Sequence, residues 1–143
     1  MKNNIKNNEG IKDVVNFVKE YNLNVVMFSY LKTDNNIQGY VAINKERREI
    51  GVYYHLPYST KKFLVIYLLS SYILNGNDEL FADIVYNESI YDKEVYDFTL
   101  DLLMPDKHFK EILDTSNGDV LHLTDIYNLS KVMIEEKIKK LKK

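Results

Sequence analysis

The chain has 143 residues with 45% apolar and 28% charged residues and a formal net charge of −2, the composition of one globular domain with a single core. That charge gives no general case for nucleic-acid binding through excess positive charge, and the absence of cysteine excludes disulfides and thiolate metal sites. With no cysteine and no apolar signal-peptide core at the start, a cytoplasmic setting is expected.

Residues 1–8, rich in Asn and Lys, are expected to form a flexible tail. Ile11, Val14, Val15, Val18 and Tyr21 recur at helical spacing and predict an amphipathic helix over 9–21. Three β-like runs follow at 24–31, 37–44 and 49–55, with polar turns at 33–36 and 45–48. Their short connections predict a three-stranded antiparallel meander.

The stretch 59–75 dominates the chain. Phe63 to Leu69 is unbroken apolar sequence, and Tyr72, Ile73 and Leu74 resume after two serines. Such a helix is apolar on every side and must be buried, spanning ~24 Å. A membrane span needs about 20 apolar residues. Lys61, Lys62 and the Ser70-Ser71 pair cut this run short, so no membrane association is expected. Ser59 and Thr60 are candidate caps after the break at Pro57.

Residues 76–78 read as a loop, and 79–86 fits either a helix or a buried extended run. From about Ser89 onward, Tyr91, Val95, Phe98, Thr99, Leu102 and Leu103 make one helical face. Met104-Pro105 ends that helix, and the proline suits the first turn of another at 106–114. After a loop at 115–119, two short helices at about 119–127 and 130–142 close the chain, with Ser130 as cap at the 128–130 junction. The fold class expected is therefore α+β: an N-terminal helix, a three-stranded antiparallel sheet, a buried central helix at about 60–75, and a helical C-terminal half ending in a helix-turn-helix-like pair. No linker divides the chain.

The remaining chemistry is sparse. His55, His108 and His122 fall on three separate elements without ligand spacing. Ser70 and Ser71 lie inside an apolar helix with no strand-turn-helix elbow to expose a nucleophile. Five singly spread glycines form no phosphate loop. Lys137, Lys139, Lys140, Lys142 and Lys143 suit a helix C-terminus through its dipole, which makes DNA contact the lesser reading. The KERR segment at 45–48 reads as a solvated hairpin turn.

Two stretches carry a resemblance to a known family. GYVAINKERREIGVYYHLPYSTKKFLVIYLLSSYILN, residues 39–75, resembles the ImmA/IrrE metallopeptidases, where a strand-rich lead-in and a Phe precede a core helix bearing HExxH. KEVYDFTLDLLMP, residues 93–105, is similar to the family's second signature, a helix ending in FA-x-x-LLMP. The tail VLHLTDIYNLSKVMIEEKIKKL, 120–141, resembles its terminal helix-turn-helix-like segment. The resemblance covers about two thirds of the chain in the family's order. It implies a metallopeptidase-like core over 9–105, with C-terminal helices 106–143 packed on the same domain.

The resemblance also implies where a zinc site belongs. HExxH places two His on one helix face to hold zinc while the Glu activates water. Registered on Phe63, the first His position is Tyr67, the Glu position is Leu68, and the second His position is Ser71. The third ligand falls near Asp92, with Glu94 a poorer fit. Leu cannot act as a general base, and Tyr and Ser are poor zinc ligands. The expectation is thus a catalytically inactive relative with no catalytic residue, metal or cofactor.

Active members of that family cleave helix-turn-helix repressors of phages and mobile elements. An inactive relative is expected to act by protein–protein contact, on such a repressor or another regulator, through its C-terminal helices and the groove beside Tyr67 and Ser71. Two alternatives stand beside it. One is a divergent metallopeptidase with rearranged ligands that include Asp92 and a histidine. The other is a DNA-binding regulator using the terminal helix pair.

Overall fold

The structure, a computed structural model, describes residues 12–29 and 36–142. The expected tail at 1–8, the start of the first helix, most of the 33–36 turn and Lys143 lie outside the described residues. The first helix, α1 (Lys12–Lys19), buries Asp13, Val14, Phe17 and Val18. Its end is marked by Asn22 at φ 61°, a left-handed conformation that Asn tolerates better than most residues.

Three strands follow as expected: β1 (Asn24–Phe28), β2 (Ile37–Ile43) and β3 (Arg48–Tyr53). The ambiguous run at 79–86 resolves as a fourth, β4 (Phe81–Tyr86). Sheet order is β1-β3-β2-β4. The antiparallel trio is β3, β2 and β4, and β1 joins β3 in parallel at the edge instead of pairing with β2. This departs from the meander because β2 spends one edge on the β3 hairpin and the other on β4. Asn44 closes that hairpin by accepting from the Glu46 and Arg47 amides, at 2.8 and 2.9 Å. Arg48 is not part of a solvated turn. It bonds the Asn22 and Tyr21 carbonyls and the Tyr72 hydroxyl, and pins the end of α1 to the helix described next.

That helix is α2 (Tyr58–Asn75), and every residue from Lys61 to Tyr72 is buried. Its apolar side chains account for much of the core, each worth about 1.5–3 kcal/mol on burial. On one side it lies over β2, β3 and β4; on others it meets α1 and α3 (Lys93–Leu103). Gly39, on the inner sheet face, lets it approach: a Cβ there would lie 3.0 Å from Leu68 Cδ1. The expected caps Ser59 and Thr60 fall inside the first turn. The capping position is Pro57, which offers no side-chain bond.

The C-terminal half is α3, α4 (Asp106–Thr115), α5 (Val120–Tyr127) and α6 (Lys131–Leu141). Met104 closes α3 before Pro105, as the sequence requires. Asp92, Asp119 and Ser130 cap α3, α5 and α6 through side-chain oxygens. No helix among the described residues is long and apolar enough to cross a membrane.

Candidate functional site

The positions singled out on α2 do converge. Tyr67 and Ser71 are one turn apart on the same face, and both are about 95% buried. The Tyr67 hydroxyl accepts the Asp92 amide at 2.9 Å, so the first and third inferred ligand positions touch. The Asp92 carboxylate is engaged in the other direction, accepting the Val95 amide at 3.0 Å as the cap of α3. Leu68 is fully buried, with Cδ1 over Gly39. Glu94 lies exposed in the first turn of α3.

Ser71 points elsewhere, to a residue the sequence did not single out. Its hydroxyl donates to Asp83 Oδ2 on β4 at 2.7 Å. The Asp83 Oδ1 atom accepts from the Ile84 amide. The signal was present: Phe81, Asp83 and Val85 alternate onto the inner face, and an acid at an inward strand position needs a partner. Without an assignment of 79–86 as strand, that alternation could not be read.

Burial pushes the Tyr67 phenol above its ordinary range, and the charges of Asp83 and Asp92 add to that. The Asp92 amide works the other way. Tyr67 is therefore a neutral hydroxyl at physiological pH. Beneath it, Phe63, Tyr67, Tyr91 and Tyr96 form an aromatic cluster with ring centroids 5.0–6.0 Å apart. Tyr91 and Tyr96 also line an open groove of about 530 Å³ between the starts of α3 and α6, together with Val132 and Met133.

The zinc that the family resemblance implies does not fit these residues. Tyr67 and Ser71 are committed to Asp92 and Asp83, Leu68 offers only hydrocarbon, and Asp92 caps a helix. Among the described residues, no group of three His, Cys, Asp or Glu is arranged to hold a metal. None of the three histidines is brought to Asp92. His55 packs against Tyr53 and Tyr54, His108 Nδ1 lies 2.7 Å from the Tyr127 hydroxyl, and His122 is exposed on α5.

The basic residues near the C-terminus are partly internal. Lys137 is fully buried, paired with Asp101 at 3.0 Å and with Asp106. Lys140 bonds Asp101 at 2.7 Å and the Asp97 carbonyl at 3.0 Å. Asp101 is itself partly buried, which raises its pKa, but Lys140 and Lys137 outweigh that and hold it below the ordinary carboxylate range. These lysines fasten α6 to α3 and α4. Lys139 and Lys142 remain exposed.

No protein-family model matches the chain, and no curated protein or solved structure matches it.

Proposed function

We propose that this protein is a catalytically inactive, ImmA/IrrE-like scaffold that acts by binding another protein, a helix-turn-helix repressor or related regulator. The observation that carries the reading is the hydrogen bond between Tyr67 and Asp92. The inferred alignment puts these residues, 25 apart in sequence, at one centre, and they are in contact there. The polar atoms at that centre are already engaged with one another, as befits a packed scaffold, and Leu68 stands where a general base is needed. The partner surface is the groove beside this centre. Its apolar floor of Tyr91, Tyr96, Val132 and Met133 is rimmed by Asp97 and Glu136, a suitable seat for an apolar anchor on a partner helix.

Co-expression with helix-turn-helix proteins encoded beside this chain tests the reading. A stable complex with the partner uncleaved is expected, and Val132→Asp should abolish it. Val132 is 63% exposed, so the change leaves the core intact. Metal-dependent cleavage of the partner, or a complex indifferent to Val132→Asp, would contradict it. A separate test addresses the alignment. A folded variant carrying Tyr67→His, Leu68→Glu, Ser71→His and Asp92→Glu should take up zinc.

A further inference from the structure

At the other end of α2 the polar groups are arranged quite differently. The helix begins at Tyr58 with no side-chain cap and no acidic residue in its first turn. The Lys61 amide is the first to find a backbone acceptor, at the Pro57 carbonyl. The amides of Tyr58, Ser59 and Thr60 have no acceptor among the described residues. This is the positive end of the longest helix in the structure.

The second observation is Lys61. The residue is 7% exposed, yet its ammonium has no hydrogen bond or ion pair to any described residue. It lies 5.0 Å from the centre of the Tyr54 ring and 5.2 Å from that of Tyr58. Both rings precede Lys61 in the chain, so the ammonium sits over the N-terminal end of the helix. A nine-tenths-buried cation without a counter-ion is costly unless something anionic comes to it. Its neighbour Lys62 shows the usual solution, a carboxylate at 3.7 Å and a carbonyl at 2.8 Å.

We propose that the first turn of α2 is a phosphate-binding site. In it, the three free amides and the Lys61 ammonium hold the oxyanion of a small phosphomonoester. Tyr54 and Tyr58, 55% and 62% exposed, flank the ammonium as walls on which the esterified group stacks. The site is at the opposite end of α2 from the Tyr67–Asp92 centre and does not depend on the function proposed for it.

The test is amide NMR of the full chain titrated with inorganic phosphate and with phenyl phosphate, against sodium chloride at matched ionic strength. Saturable shifts of the Tyr58, Ser59 and Thr60 amides are expected with both phosphates and not with chloride, with phenyl phosphate the tighter ligand. Lys61→Met keeps the aliphatic stem and should weaken binding about tenfold, the size of one charge-assisted hydrogen bond. Ser59→Asp supplies an internal carboxylate to the same amides. It should raise the melting temperature and abolish phosphate binding, which separates a lost site from a lost fold. Equal shifts with chloride, or undiminished affinity in both variants, would overturn the site. Equal affinity for the two phosphates would remove the tyrosine walls from it.

Discussion

Lys61 and Lys62 are adjacent, both buried, and treated in opposite ways. Lys62 reaches Asp13 on α1 and the Tyr127 carbonyl at the end of α5, so it ties the N-terminal helix to the C-terminal half through α2. Lys61 reaches only two exposed aromatic rings. The same division runs along the helix. Tyr67, Ser70 and Ser71 each have an internal partner, whereas the first-turn amides have none among the described residues. A buried polar group that is paired supports the fold; one left unpaired at the surface end is available to a ligand.

Substitutions along α2 turn that contrast into a graded series. The largest loss is expected from Lys62→Met, which strands Asp13 as a buried charge. Breaking a buried pair from one side costs about 3–5 kcal/mol, measurable by urea denaturation. The double change Asp13→Leu with Lys62→Met should recover most of it. Burial already pushes the Lys62 ammonium below its ordinary 10.5, with Asp13 pulling it back. For that group the unfolded chain binds more protons between the lowered value and 10.5, so its contribution to stability improves as pH rises through that window.

Acid should act next, on the C-terminal half. Because Lys140 and Lys137 hold Asp101 below its ordinary 3.8 in the folded state, its stabilising contribution is complete above that value. It fades as pH falls from 3.8 through the lowered pKa. A melting series from pH 6 to pH 2 should show this loss, blunted in Lys137→Met and Lys140→Met together. Tyr67→Phe comes third. It removes the acceptor for the Asp92 amide, a single hydrogen bond worth about 1 kcal/mol. The smallest effect is expected from Lys61→Met, within about 0.5 kcal/mol of wild type, since no internal partner is lost. A cost as large as that of Lys62→Met would erase the distinction between the two lysines.

Much of the fold was legible in the sequence, for reasons specific to each segment. The unbroken run from Phe63 to Leu69 allowed only a buried helix, and Pro105, Asp119 and Ser130 marked boundaries by local chemistry. The parallel placement of β1 was not legible, because strand adjacency depends on pairings distant in sequence. Lys62 and Arg48 were misread for a different reason. Long basic side chains place a charge far from their own backbone, so a helix interruption and a solvated turn became internal ties. At the candidate site, the contact between Tyr67 and Asp92 followed from the family alignment and not from periodicity. The partner of Ser71 required knowing that Asp83 sits on a strand.

Whether the Tyr67–Ser71 face serves binding or hydrolysis is tested most directly by metal stoichiometry. The protein is purified without chelator, challenged with zinc and analysed for bound metal. Cooperatively folded protein with far less than one zinc per chain is the expected result. About one zinc per chain, lost on Asp92→Ala, would mean that a working metal site is built on these positions and would contradict a scaffold that only binds.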